Sequence, residues 1–321
     1  MPLKTIASIS AVFVVCITFW STLLSLCPKP REVGWIGEIY AKKEMAASSV
    51  AGPKYLLIGG SSTHYSYSAE EISKLTGFQV INFGSHAGLG GDYILNRAKR
   101  SLRKGDTALL ALEYQLLSTV PPSTILTGLV ATSDLSYVLD APWNHVANLL
   151  FGYSPVQLAR DVAAKSIPWT SPLYRSETVT TYGDESSNVP ENKLPYMRKV
   201  VHEAEGIVMA QSVQLSVSLQ EFVAWAHSND VTVFYTWPPT TERPRYLTTE
   251  YAAYFASQAD LFEALGVKVL GRQAEYLLPE EEMLDSMYHA DVVGARRASI
   301  ALSRNLCSLV DCPATGARPI M

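Results

Sequence analysis

Five short apolar runs, KYLLIG (54–59), FQVINFG (78–84), TALLALEY (107–114), VTVFYTW (231–237) and VKVLG (267–271), punctuate this chain. Each is rich in β-branched or aromatic residues, as strands are. Helical patterns fall between them at 68–75, 91–103, 206–228 and 250–265, and a last one at 292–306. Strands that alternate with helices pair in parallel and need helices on both faces, so the expected product is a three-layer α/β domain. The length, 321 residues, and a hydrophobic fraction of 48% suffice for one large core.

Between the third and fourth runs lies an insertion at about 115–205. Its 140–165 stretch reads as helical, whereas 167–197 is rich in Pro, Ser, Thr and Tyr and reads as an irregular loop. Loops of that length in compact domains serve as functional lids or are disordered.

Residues 5–26, TIASISAVFVVCITFWSTLLSL, carry no charge over twenty-two positions. That is enough to cross a bilayer core of about 30 Å as a helix. A cleaved signal peptide has an apolar region of about 7 to 15 residues that ends on small residues. This run is longer and ends Leu24-Ser25-Leu26-Cys27, so it reads as an uncleaved transmembrane anchor. The division is then an anchor at 1–27, a polar juxtamembrane linker at 28–53 and an α/β domain at 54–321.

Orientation draws on two opposed signals. Lys4 precedes the span, but Lys29, Arg31, Lys42 and Lys43 follow it, which argues against export of the C-terminal domain. Beyond the span edge only Cys307 and Cys312 remain, close enough in LCSLVDC to pair. That suits an oxidising compartment, with two buried thiols as the other reading. A net charge of −4 without a basic run speaks against a nucleic-acid partner.

In open α/β sheets ligands bind beyond the carboxyl ends of the strands. Three polar clusters fall at such places: Gly59-Gly60-Ser61-Ser62 after the first strand, Asn82-Phe83-Gly84-Ser85-His86-Ala87-Gly88 after the second, and Asp285-Ser286-Met287-Tyr288-His289 before the last helix. One supplies a hydroxyl, one supplies close backbone N–H groups and one supplies an acid with a histidine. These are the parts of an acyl-transfer site: histidine takes the serine proton, the carboxylate orients the imidazole, and N–H donors hold the developing oxyanion. Each part has a plain structural alternative as a cap, a surface histidine or a flexible turn.

Other chemistries fit less well. The spacing G-x-G-x-x-G beginning at Gly88 and Gly90 meets Tyr93 where a third glycine belongs, which disfavours a dinucleotide fingerprint. None of the six histidines lies in HExxH or a cysteine-rich frame, so neither a metal nor another cofactor is expected.

IGGSS, INFGSHAG and DSMYHADVVGARR, in this order, resemble the first, second and last sequence blocks of the SGNH (GDSL-like) hydrolase superfamily. The likeness is to its membrane-anchored relatives that modify envelope polymers, such as alginate O-acetyltransferases and the teichoic-acid D-alanylation protein. It spans about residues 54–306. It implies a flavodoxin-like three-layer fold with Ser61 as nucleophile, Asp285 and His289 completing the triad, and the N–H groups of Ser61 and Gly88 as oxyanion donors. Aligned instead to a Gly-Ser-Ser variant, the first block makes Ser62 the nucleophile. Ser66-Tyr67-Ser68, where relatives carry Gly-Ile-Asp, favours Ser61.

The pattern departs from the family twice. The third strand ends Leu112-Glu113-Tyr114 where relatives carry an oxyanion-donating asparagine, so Glu113 is expected to be structural. Asp285 and His289 are four residues apart rather than three. His64, close to Ser61 in sequence, is the local competitor for the role of base. Trp143, Trp169, Tyr174 and Tyr182 in the insertion are candidates for stacking on sugars or for core packing.

The resemblance implies a membrane-anchored serine O-acetyltransferase or acetylesterase, its domain outside the inner membrane. It would act on an envelope or secreted polysaccharide, alone or with other members of a modification complex. The rival reading is a non-catalytic polysaccharide-binding or scaffold protein of the same fold.

Overall fold

The computed structural model describes residues 8, 11–16, 18–20, 22, 31–164, 172–209 and 214–313. Five parallel strands, β1 (Tyr55–Ile58), β2 (Val80–Asn82), β3 (Thr107–Leu110), β4 (Thr232–Thr236) and β6 (Lys268–Leu270), form a sheet of order β2-β1-β3-β4-β6. A second, two-stranded sheet pairs β5 (Thr240–Thr241) with β7 (Leu277–Leu278). All five expected strands are present, embedded in an α/β fold.

The chain leaves β1 for the sheet edge at β2 and then returns past β1 to β3. Because βαβ crossovers are right-handed, these two excursions place their helices on opposite faces. Ala69–Thr76 accordingly packs with Val292–Cys307, while Gly90–Ser101 packs with Val217–Ser228. Strands covered on both sides have no solvent face, which is why β1, β2 and β3 read as unbroken apolar runs.

Several elements differ from expectation at their ends. β3 stops at Leu110 because β1 offers no further partner: the Ala111 N–H takes the Ile58 carbonyl, and the Ala111 carbonyl accepts from the Thr63 hydroxyl instead of a strand. β2 is only three residues long, and its Asn82 N–H donates to the Tyr182 carbonyl of the insertion. The helix expected from 206 begins at Val217, and 210–213 lie outside the described residues.

Within the stretch expected as a polar linker, 28–53, the structure holds a helix, Arg31–Ser49, with Val33, Ile36, Tyr40, Lys43 and Ala47 buried along one face. Their spacing of three or four is the helical period, partly masked in the sequence by a lysine in the stripe.

Two compact units are distinguished: 1–37 with 122–170, and 38–121 with 171–321. The expected insertion is thereby divided. Its first part contributes the helices Thr124–Ser133, Val146–Phe151 and Pro155–Ala164 to the former unit. Its later part, an irregular stretch followed by the helix Pro195–Glu203, belongs to the latter. Much of the run 5–26 lies outside the described residues, and among those described no helix is long and apolar enough to cross a membrane. A disulfide joins Cys307, the final residue of the last helix, to Cys312 just beyond it.

Candidate active site

The direction of strand order reverses between β1 and β3, the place where doubly wound sheets open a crevice. There β1 runs through Gly59 and Gly60 into the short helix Ser61–Ser66. Both glycines answer to close contact. A Cβ on Gly59 would meet the Thr63 Oγ1 at 2.0 Å, and one on Gly60 would lie 2.6 Å from both Glu113 carboxylate oxygens.

Glu113 holds this turn from below. Its Oε2 accepts the Gly60 N–H at 2.9 Å and its Oε1 accepts the Ser62 N–H at 2.8 Å. It is fully buried, and burial raises its pKa against the pull of those two N–H groups. Glu113 is therefore a structural acceptor, in keeping with the expectation from its charge. The N–H of Ser61, between the two donors it engages, is also at the helix start, where no intrahelical acceptor exists.

The two serines have different surroundings. Ser62 is fully buried and its hydroxyl donates to the Pro239 carbonyl at 2.8 Å, whereas Ser61 is partly exposed. A second structural residue, Asn82, pins the helix to the second cluster. Its Nδ2 donates to the Thr63 and Tyr67 carbonyls, and its Oδ1 accepts from the Gly84 N–H and from Lys43.

His289 Nδ1 and Asp285 Oδ1 are 2.7 Å apart, a hydrogen bond that leaves Nε2 on the opposite side of the ring. Burial works against the Asp285 carboxylate, yet His289 and Tyr174 beside it hold its pKa below the usual 3.8. The imidazole lies tilted against the Tyr65 ring, with centroids 4.5 Å apart and 33° between the planes. Tyr65 is four residues after Ser61, and positions i and i+4 share one face of a helix. The Ser66 hydroxyl further ties helix to loop, donating to the Tyr288 carbonyl and accepting from the Ala290 N–H.

His64 faces elsewhere. It is fully buried, its Nε2 is 3.3 Å from Glu185 Oε2, and burial together with the nearby Lys43 pulls its pKa down to about 4. Gly88 is less simply placed: its N–H donates to His86 Nδ1 at 3.0 Å. His86 is also brought down to about 4, by burial and then by His289, so its ring is neutral near pH 7 and accepts at Nδ1. An oxyanion contact from Gly88 requires the His86 ring to turn aside.

Among the insertion aromatics, Trp143 is exposed and Trp169 lies outside the described residues. Tyr182 offers its carbonyl to β2. Tyr174 belongs to the site itself, donating its hydroxyl to Asp285 Oδ2 at 2.5 Å. Nothing in the sequence marked that role. Tyr65 was findable from its helical spacing to Ser61. No group of metal-binding side chains occurs among the described residues.

No family model matches the chain, and no curated protein matches it. Among solved structures, a protein from Streptococcus pneumonia provisionally named platelet activating factor is similar at a TM-score of 0.37 and 15% identity, over 92% of this chain and 99% of the other. A likeness so remote identifies neither a family nor an activity.

Proposed function

We propose that this chain is a serine acyl-transfer enzyme of the flavodoxin-like SGNH type, an O-acetyltransferase or acetylesterase acting on an envelope or secreted polysaccharide. The observation that carries the reading is the Asp285–His289 hydrogen bond, set against the helix that opens with Ser61 at the sheet's switch point. In the first half-reaction Ser61 Oγ attacks the ester carbonyl while His289 Nε2 takes its proton. Collapse of the tetrahedral adduct gives that proton to the leaving alcohol and leaves a serine ester. A sugar hydroxyl or water then attacks in the reverse sense. The Ser61 N–H, and the Gly88 N–H once His86 has turned, would hold the oxyanion.

The uncharged run 5–26 supports an inner-membrane anchor, and the Cys307–Cys312 disulfide, set against the basic residues that follow the run, supports a domain on the extracytoplasmic side. Polymer, membrane and other members of a modification complex are the partners this reading calls for. The non-catalytic alternative draws on two particular features, the carboxylate of Glu113 at the expected donor position and the engaged Gly88 N–H.

Turnover of a chromogenic acetyl ester, with mass spectrometry of the acylated peptide, separates the two. Ser61→Ala is expected to lose activity by about 10³-fold or more and to abolish the adduct, with the protein still folded. Ser62→Ala is expected to retain most activity and to lose about 1–2 kcal/mol of stability, since it strands the Pro239 carbonyl. The opposite ranking would make Ser62 the nucleophile, and an unlabelled, inactive wild type would favour the non-catalytic protein.

A further inference from the structure

Asp285 is engaged through both oxygens. Oδ1 takes His289 Nδ1, and Oδ2 takes the hydroxyl of Tyr174, a residue 111 positions earlier in the chain. Tyr174 has a φ of +61°, and the only other non-glycine residue with positive φ among those described is Asp230. A tyrosine pays for that conformation, and it persists only where surrounding contacts fix it.

Its neighbours supply such contacts. Leu173, just before it, is fully buried in a cluster with Tyr65, Met197 and Leu284. The Tyr174 ring sits edge-on to Tyr65 and His289, at 6.1 and 6.5 Å. Further along the same segment, Asn188 donates to the Tyr65 carbonyl and accepts from the Val292 N–H. Lys193 reaches Asp291 Oδ2 at 2.5 Å and also the Glu281 carbonyl. Residues 173–193 thus brace the loop that carries Asp285 and His289 from both of its ends.

We propose that Tyr174 is a positioning residue: its hydroxyl fixes the rotation of the Asp285 carboxylate and keeps it the hydrogen-bond partner of His289, so that the insertion completes the acid–base pair. This rests on the reading of Ser61, His289 and Asp285 given above. A carboxylate with a single partner can turn about its Cβ–Cγ bond. One held through both oxygens cannot, and the imidazole it orients keeps one tautomer.

Tyr174→Phe in the full-length, detergent-extracted protein tests this, because it deletes the hydroxyl and keeps the ring against Tyr65 and His289. Three readouts apply: labelling of Ser61 by a fluorophosphonate, the pH dependence of acetyl-ester turnover, and the low-field proton resonance of His289 Nδ1–H. Loss of a donor leaves the Asp285 carboxylate more basic and strengthens its hold on the His289 Nδ1–H. The variant is expected to lose roughly tenfold in kcat at little change in KM. Its acid limb should move up by about half a pH unit, and the low-field resonance should shift.

Replacing Tyr174 by 3-fluorotyrosine, a more acidic donor of nearly the same shape, should move the limb the other way. The other groups around the pair, Glu113 from the end of β3, His64 and Tyr65 from the serine helix, His86 from the second cluster and Glu185 beside His64, are unchanged in both variants. A slower variant with the wild-type limb and resonance would show a packing role only and overturn the proposal, as would a variant indistinguishable from wild type. A wild type that Ser61-directed reagent fails to label would instead sink the nucleophile assignment itself.

Discussion

His64 illustrates how a residue three positions from Ser61 can be committed to the core. Its ordinary pKa of 6.5 is brought down to about 4 by burial, so the unfolded chain binds this proton more readily than the folded one. Stability is therefore full above pH 6.5 and falls as the pH drops through 6.5 toward 4, with no further loss from this group below that. The gap amounts to up to about 3 kcal/mol. Lys43, lowered to about 7, titrates above this window, whereas His86 adds to the loss within it. Urea unfolding at pH 7 and pH 4.5 should show the decline in wild type and a shallower one in His64→Gln. Equal slopes would remove His64 as the cause.

At this scale the sequence was most readable where polar words follow apolar runs, which is how Ser61 stood out, whereas Asp285 and His289 stood out as an acid and a histidine just ahead of the last helix. It was silent where a partner lies far along the chain in an aperiodic segment. Tyr174 and Asn82 became visible only once the fold brought Asp285 and the serine helix to them.

Among elements, the helix Ser61–Ser66 shows how little secondary structure a site needs when its neighbours hold it. Six residues are too few to be stable alone. It is kept by Glu113 at its start, Asn82 along its length and Ser66 at its end. Gly84 lets the second cluster approach: a Cβ there would lie 2.4 Å from the His64 nitrogen and 2.7 Å from the Thr63 carbonyl carbon. Neither backbone atom can yield without moving the helix. Gly84→Ala is expected to cost about 2–3 kcal/mol and to reduce turnover more than Ser62→Ala does, read by thermal melts and ester hydrolysis. An alanine variant of wild-type stability and rate would show that the helix is looser than this packing indicates. The five strands were legible from composition, but their ends were not, because each end depends on where a neighbouring strand runs out.

For the whole molecule, the N-terminal run is where sequence and structure bear on different things. The uncharged run 5–26 predicts integral association, while the described part of it presents Val12, Phe13, Val14, Val15 and Phe19 to the surroundings in helical pieces. Phe13 lies against Phe151, at 6.2 Å between ring centroids. On the anchor reading the full-length protein should stay in the membrane pellet through alkaline carbonate and leave it only with detergent. Release by carbonate would show peripheral attachment. The insertion could be recognised from its length, and the change near residue 166 from a helical pattern to a Pro-, Ser-, Thr- and Tyr-rich stretch falls close to its division at about residue 170.

The loop from Met283 to Ala290 is closed on itself. Met283 and Ala290 form an antiparallel bridge, and the Leu284 N–H meets the His289 carbonyl at 2.7 Å. The hydrogen-bonded Asp285 and His289 therefore ride on one small cartridge, and the four-residue interval between them is absorbed inside its clasp. The Ser66 hydroxyl clips this cartridge to the serine helix through the Tyr288 carbonyl and the Ala290 N–H, so pair and helix are held as one piece.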